Sequence, residues 1–345
     1  MINNPNKYKI NLLFIIKLAL FFVYFFLCAS QLLSFELWPQ VTRIWEIENG
    51  IAHGGKPYQR ELLSAITTDG GYKYAHMLRY FLVVPIFTAS SLLGIEYNYL
   101  FSLLFPFFIL YSSLIVSQSV LYLLQDSLFK KNDLIFSLFF LVLCFVSFFM
   151  NGRMVFAIMA SSILIFITLS WEKISLPTMA FNAFLGFFLS SVSSGVFLVY
   201  FSSLLGIFFY KVLLNKSTIK RHVFSFSVLM TMIFSPFLLD SLLKNIDYFG
   251  GGLHGIIGML NHGLGSLFFN DSYFYRVSFL IIVVAVNCIG LYLYLTVKEL
   301  RPLVIVTFIA FLGSMFGYSV LTMAILPIMV FFYFFINNYS VNYLK

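Results

Sequence analysis

Long continuous apolar runs, separated by short polar segments, dominate the sequence. A helix needs about 20 apolar residues to cross the bilayer core, and the runs have about this length. Because apolar residues follow one another and do not alternate with polar ones, the pattern predicts helices and not the strands of a barrel. The clear runs cover about residues 11–35, 99–124, 134–150, 154–170 and 223–243, one span that ends near residue 298 and a final hairpin with a break near residues 313–317.

For two stretches in the first two thirds of the chain, the sequence allows two arrangements of the membrane spans. In one arrangement residues 81–94 cross the membrane and residues 178–210 form one long helix. In the other, residues 81–94 lie at the surface and residues 178–210 cross twice. The second arrangement keeps Lys130, Lys131 and Lys173 in the cytoplasm, so the positive-inside rule favours it. Both predict an all-α, polytopic integral membrane protein with about ten transmembrane helices.

The composition fits one transmembrane domain over residues 1–345. Hydrophobic residues make up 61% of the chain and charged residues 10%, with a mean hydropathy of +0.96; soluble domains are about 45–50% apolar and about 25% charged. The net charge of +8 comes from basic residues in short loops, which indicates cytoplasmic loops and not nucleic-acid binding. Both termini are therefore predicted in the cytoplasm, with outer loops at about residues 36–78 and 244–275. The three cysteines have no paired spacing, so neither a disulfide framework nor a zinc site is expected.

One arginine, Arg153, precedes an otherwise uncharged apolar helix in the run NGRMVFAIMASSILIF, which starts at Asn151. An arginine at membrane depth costs about 2.5–3.5 kcal/mol on insertion scales, so it usually has a buried partner or a ligand. Its planar fork suits bidentate recognition of phosphate, and Ala157 and Ala160 permit close helix packing. The run predicts that Arg153 binds a lipid-linked phosphate at the outer membrane surface. The alternative is a structural ion pair with an acid of the first outer loop.

The first outer loop is the richest polar segment, and it contains the candidates for a catalytic base. A carboxylate that faces the outer leaflet can act as general base on a sugar hydroxyl. The candidate bases are Glu36, Glu46, Glu48 and Asp69. Arg79, at the end of this region, is a candidate second phosphate contact. The alternatives are ordinary solvated loop charges and, for Arg79, an interfacial anchor.

The second outer loop has seven glycines between residues 250 and 265. Such a segment is too glycine-rich for a stable span and too apolar for a free loop, so a mobile interfacial or re-entrant segment is predicted. His254 and His262 match no metal-binding motif and are candidates for acceptor binding or acid–base work. Arg276 opens the next span from the outer side and is another candidate phosphate contact.

The sequence has no Walker motif, Rossmann fingerprint, HExxH or GxSxG, which argues against an ATP-driven pump and a serine hydrolase. The run NGRMVFAIMASSILIF resembles the Arg-x-x-x-Ala segment of the EpsG-like and Wzy-type polysaccharide polymerases, at Arg153 and Ala157. Further along, such proteins carry His-Ser-Ser or a related small-polar cluster. Here SSVSSG, from Ser190 to Gly195, stands in that place without the histidine. The plan of one span, a long acidic outer loop and a bundle of further spans is also similar to membrane glycosyltransferases of the GT-C type.

This resemblance implies polymerisation of O-antigen or exopolysaccharide repeat units on the periplasmic side of a bacterial inner membrane. The donor would be a glycan on undecaprenyl pyrophosphate and the acceptor a lipid-linked repeat unit. Arg153, with Arg79 or Arg276, would stabilise the leaving pyrophosphate, and a first-loop carboxylate would serve as base. Ser194 is a candidate substrate contact. No cofactor, metal or nucleic acid is expected; the expected partners are the undecaprenyl-pyrophosphate-linked oligosaccharide, membrane lipids and a chain-length regulator.

Two other classes of function stay open. A flippase or secondary transporter of lipid-linked sugars would need charges along a central cavity and usually has repeated halves, whereas the polar residues here cluster on one side and no repeat is visible. Another membrane transferase, adding a single sugar from a polyprenyl phosphate or an acyl group, is the second alternative.

Overall fold

The computed structural model describes residues 12–30, 85–86, 89–90, 92–95, 97–124, 132–149, 154–191, 193–214 and 219–343. The regular secondary structure of these residues is entirely helical, which confirms the predicted all-α fold class. In chain order the longer described helices are α1 (Leu12–Ala29), α2 (Tyr97–Leu124), α3 (Asn132–Phe149), α4 (Met154–Ser170), α5 (Leu176–Ser190), α6 (Ser194–Leu214), α7 (Ile219–Tyr248), α8 (Gly252–Asn261), α9 (Gly265–Phe269), α10 (Tyr273–Thr296), α11 (Arg301–Ser314) and α12 (Tyr318–Tyr343). A 3₁₀ turn, Lys298–Leu300, lies between α10 and α11.

Helix α4 lies at the centre of the bundle. Of its 17 residues, 16 are buried, and it packs against α2, α5 and α12. Its sequence is apolar around the whole circumference, as expected for a helix that is surrounded by protein. The prediction of a helix over residues 154–170 is confirmed with the same ends. The residue that precedes this enclosed helix in the chain is Arg153.

Residues 178–210 belong to two helices and not to one long helix. α5 ends and α6 begins at the serine cluster, and the rings of Phe187 and Tyr200 lie 5.4 Å apart between the two helices. The Ser190 hydroxyl donates a hydrogen bond to the Phe187 carbonyl oxygen. Because serine side chains offer the backbone an alternative to helical bonding, the cluster favours a break here. The one long helix of the first arrangement is therefore wrong, and residues 178–210 form two helices, as the second arrangement requires. That both helices cross the membrane stays a prediction.

The glycine-rich connection is shorter than its predicted range of 244–275. α7 runs from Ile219 to Tyr248, so the predicted span 223–243 was too short at both ends, and α10 already begins at Tyr273. Lys244 and Asp247, which suggested a loop by their charge, instead belong to the last turns of α7. Charged residues are compatible with a helix end that leaves the apolar layer, and the sequence pattern alone does not distinguish this from a loop. Two short helices, α8 and α9, occupy much of the connection between α7 and α10.

The apolar helices make the chain a helical membrane protein. Four segments of the described helices are long and apolar enough to cross a membrane: Ser102–Leu123, Ser194–Lys211, Tyr273–Thr296 and Val320–Asn337. Four shorter apolar helices accompany them: Ile15–Ala29, Ile135–Val146, Met154–Ser170 and Leu176–Ser190. Only 17% of the Tyr273–Thr296 window is buried inside the protein, as expected for a helix whose surface faces lipid.

The bundle has two chemically different ends. α4, α6 and α12 begin at the end formed by residues 190–191, 193–195, 263–265 and 313–320, which we call the serine end. α2, α4 and α6 finish at the opposite end, formed by residues 122–124, 168–173, 211 and 297–301, which we call the lysine end. At the lysine end the Lys173 ammonium donates to the Tyr122 carbonyl oxygen (3.0 Å), and Lys211 lies 3.6 Å from the Glu172 carboxylate.

Candidate functional site at the serine end

Two interruptions of the helices meet at the serine end, and backbone hydrogen bonds join them. The N–H of Leu264 donates to the Ser314 carbonyl oxygen (2.9 Å), and the N–H of Gly265 donates to that of Met315 (3.3 Å). Gly265 begins α9, and Ser314 ends α11. The glycine-rich connection between α7 and α10 is thereby attached to the turn between α11 and α12.

Glycine at position 263 makes this contact sterically feasible. A Cβ atom on Gly263 would lie 2.3 Å from the Met315 carbonyl oxygen and 2.4 Å from the Gly317 nitrogen. Both neighbours are backbone atoms, so no change of rotamer can relieve the clash. The same connection packs closely on α7, where a Cβ on Gly255 would lie 2.1 Å from the Ile246 carbonyl oxygen. These glycines serve close backbone approach, which the amount of glycine alone did not specify.

Ser194 lies where α6 packs against the start of α12. A Cβ on the neighbouring Gly195 would come within 2.7 Å of the Val320 side chain, and one on Gly313 within 2.1 Å of the Val199 side chain. Glycine at these positions lets the helices approach closely. Ser194 is half-buried in this contact. The predicted substrate residue Ser194 and the α11–α12 turn therefore belong to the same end of the bundle.

The enclosed helix α4 begins at this end too. Ser161 Oγ donates to the Met323 carbonyl oxygen of α12 (3.2 Å). Ser161 is about two helical turns from the start of α4, and Met323 is less than two turns from the start of α12, so the two helices begin side by side. Met154, the first residue of α4, is only 5% exposed. Arg153 itself lies outside the described residues.

The candidate residues of the first outer loop and the neighbouring Arg79 have no described structure. The candidate bases Glu36, Glu46, Glu48 and Asp69 and the candidate phosphate contact Arg79 all lie outside the described residues. Their assigned roles stay predictions.

The two histidines lie on the glycine-rich connection. His254 is in the first turn of α8 and His262 directly follows that helix, and both side chains are exposed. The His262 and Phe249 rings have centroids 5.1 Å apart. Within the described part of the chain, no group of three or more His, Cys, Asp or Glu residues is placed to hold a metal ion. Both imidazoles are therefore exposed on a connection at the serine end, and their role in acceptor binding or acid–base work stays a prediction.

Arg276 lies in the first turn of α10 and contacts the segment just before it. Its Nε donates to the Asn270 carbonyl oxygen, and its guanidinium lies 3.9 Å from the Asp271 carboxylate. The pair is solvent-exposed, so it adds little to the stability of the fold. A guanidinium has five N–H donors, and these contacts do not use all of them. A contact from Arg276 to a ligand phosphate stays a prediction.

Two features of the molecule were not found from the sequence. One is the contact of residues 263–265 with residues 313–317; glycines in both segments were the available signal, but they do not reveal which segments meet. The other is a cavity of about 390 Å³ at the lysine end, whose lining residues come from distant parts of the chain.

Comparison of the chain with protein-family models, with curated proteins and with solved structures gives no match.

Proposed function

We propose that this protein is a membrane glycosyltransferase that polymerises lipid-linked oligosaccharide repeat units. The observation that carries the proposal is the position of α4: an enclosed central helix begins at the serine end, and the residue before it is Arg153. A cation at the head of a helix on the lipid-facing periphery would be an ordinary interfacial anchor. A cation next to the first residue of the central helix is suited to an anionic partner, and a lipid diphosphate has the matching charge.

The start of α4 is also electrostatically suited to an anion. The first N–H groups of a helix lack intrahelical acceptors, and the helix dipole adds roughly half a positive charge at this end. Phosphate groups bind at such helix starts. Arg153 would add a planar fork of donors, so helix and side chain would both stabilise the negative charge that develops on a departing pyrophosphate.

The proposed reaction needs a base but no metal. The oxygen of an acceptor hydroxyl attacks the anomeric carbon of the donor glycan, and the bond from that carbon to the pyrophosphate oxygen breaks. Undecaprenyl pyrophosphate leaves with the electron pair, and the hydroxyl proton passes to a carboxylate among Glu36, Glu46, Glu48 and Asp69. The lipid-phosphosugar bond provides the driving force, so no nucleotide is required.

The polar features of the serine end would serve the acceptor sugar. Ser194 would offer a hydroxyl at the start of α6, and His254 and His262 would offer exposed imidazoles on the connection. Arg79 and Arg276 would assist with the second phosphate group. In this proposal the start of the central helix binds the diphosphate, and the surrounding segments bind the sugar.

The proposal includes an orientation. About ten spans with both termini in the cytoplasm of a bacterial cell would put the serine end on the periplasmic side of the inner membrane. Support comes from the charges of the lysine end, where Lys173, Lys211, Lys298 and Arg301 lie close to the ends of apolar helices. Cytoplasmic loops carry such an excess of lysine and arginine.

Deletion of the protein distinguishes this function from its rivals through the banding of the surface glycan on a gel. Loss of a polymerase leaves a single repeat unit on the carrier-derived product, and this is the result we expect. Loss of a flippase leaves no unit, and loss of a modifying transferase leaves full-length chains of altered composition. Either of these two patterns would rule out the proposed polymerase.

A further inference from the structure

The lysine end contains a cavity of about 390 Å³ between the ends of α2, α4, α6 and α12 and the 3₁₀ turn. Leu169 and Phe334 belong to the apolar part of its lining. Its charged part consists of Glu172, Lys173, Lys211 and Glu299. Several charged side chains thus converge beside apolar ones in a cavity large enough for a small polar molecule.

Lys211 is the most enclosed of these charges. Its side chain is only 18% exposed, whereas the Glu172 carboxylate that faces it at 3.6 Å is 80% exposed. A half-buried ammonium loses part of its hydration, and a solvent-exposed carboxylate at 3.6 Å replaces only part of what is lost. An anionic group in the cavity would provide the additional partner.

Lys173 adds a second cation at the same cavity. Its ammonium donates to the Tyr122 carbonyl oxygen (3.0 Å) and lies 4.8 Å from the centroid of the Tyr122 ring. An ammonium has three donors, so Lys173 can also bind a ligand oxygen. Tyr122 and Trp171 both line the cavity, and aromatic residues of this type are enriched at the level of lipid headgroups.

The balance of charges in the lining limits the class of ligand that the cavity could bind. Two lysines and two glutamates cancel formally, which disfavours a multiply charged anion and favours a zwitterion. The geometry points to a binding site for a phosphodiester of the ethanolamine class, with its phosphate on Lys211 and Lys173 and its ammonium facing Glu172 and Glu299. This headgroup occurs on membrane phospholipids and on soluble glycerophosphoethanolamine. The site lies at the end of the bundle opposite to the serine end and does not depend on the proposed polymerase activity.

Ligand binding to the full-length protein, purified in detergent and freed of lipid, tests this site. The probes are phosphatidylethanolamine, phosphatidylglycerol with the same acyl chains, and glycerophosphoethanolamine, each measured by native mass spectrometry. We expect phosphatidylethanolamine to bind roughly tenfold more tightly than phosphatidylglycerol, and Lys211→Ala to lower that affinity roughly tenfold.

Lys298→Ala, which removes an exposed cation from the adjacent 3₁₀ turn, is the matched control and should bind as the wild type does. Glu299→Gln, at an exposed position, should reduce the preference for ethanolamine while leaving the fold intact.

The outcomes distinguish a membrane phospholipid, a soluble phosphodiester and the absence of the proposed site. Tight binding of the lipid without competition by glycerophosphoethanolamine identifies a membrane phospholipid, and effective competition identifies a soluble phosphodiester. Equal affinity for both lipids with no effect of Glu299→Gln, or equal affinity of Lys211→Ala and Lys298→Ala, would overturn the proposed site.

Discussion

Replacement of Arg153 by alanine is expected to stop glycan polymerisation after one repeat unit while the amount of protein in the membrane stays normal. The guanidinium is assigned to the leaving diphosphate, and removal of one preorganised donor from developing negative charge typically lowers a rate about 10²–10³-fold. Arg153→Lys should give an intermediate chain length, because lysine keeps the charge but loses the bidentate fork. The measurement is the banding of the surface glycan beside an immunoblot of the protein.

Lys298→Ala is the control for this experiment, because it removes an exposed cation from the lysine end. It should leave chain length unchanged. A normal ladder in Arg153→Ala at normal protein level would refute the role assigned to this residue. A single-repeat product in both variants would mean that general loss of positive charge, and not the position of Arg153, limits chain length.

Replacement of Gly263 by alanine is expected to detach the glycine-rich connection from the α11–α12 turn and to shorten the glycan strongly. The added Cβ would lie 2.3 Å from the Met315 carbonyl oxygen, and the backbone would have to move. Overpacking of this kind costs about 1–3 kcal/mol. The measurements are the thermal unfolding midpoint in detergent and the glycan chain length in cells.

Gly206→Ala is the matched control for this variant. Its Cβ would meet only side-chain methyl groups of Ile309 and Ile305, at 3.1 and 3.3 Å, so adjustments of a few tenths of an ångström are enough and no backbone atom has to move. We expect a wild-type ladder from this control. A wild-type midpoint and a wild-type ladder in Gly263→Ala would show that the contact at the serine end is unimportant for both fold and activity.

The strongest sequence signals were those that depend on one segment alone. The helix over residues 154–170 has uniform apolar composition and clear polar limits, and both of its ends were predicted correctly. The two helices over residues 178–210, in contrast, were favoured by the positions of Lys130, Lys131 and Lys173, and the serine cluster alone did not decide between one helix and two.

Features that depend on contact between two distant segments were harder to predict from the sequence. The seven glycines at residues 250–265 suggested an unusual segment, but its partner at residues 313–317 could not be derived from spacing. The end of α7 at Tyr248 was missed because charged residues in a helix end look the same as charged residues in a loop. The cavity at the lysine end combines residues from four helices, so no single stretch of sequence contained it. The candidate bases of the first outer loop stay predictions, since they lie outside the described residues.

The most direct test of the account is the reaction itself in a defined membrane. The purified protein would be reconstituted in liposomes with an undecaprenyl-pyrophosphate-linked repeat unit, and both the glycan and the released carrier would be measured. The account predicts a ladder of lengthening chains, one equivalent of undecaprenyl pyrophosphate released per bond formed, and loss of both products in Arg153→Ala. Movement of the lipid-linked unit across the bilayer, with no chain longer than the supplied unit and no carrier released, would contradict it.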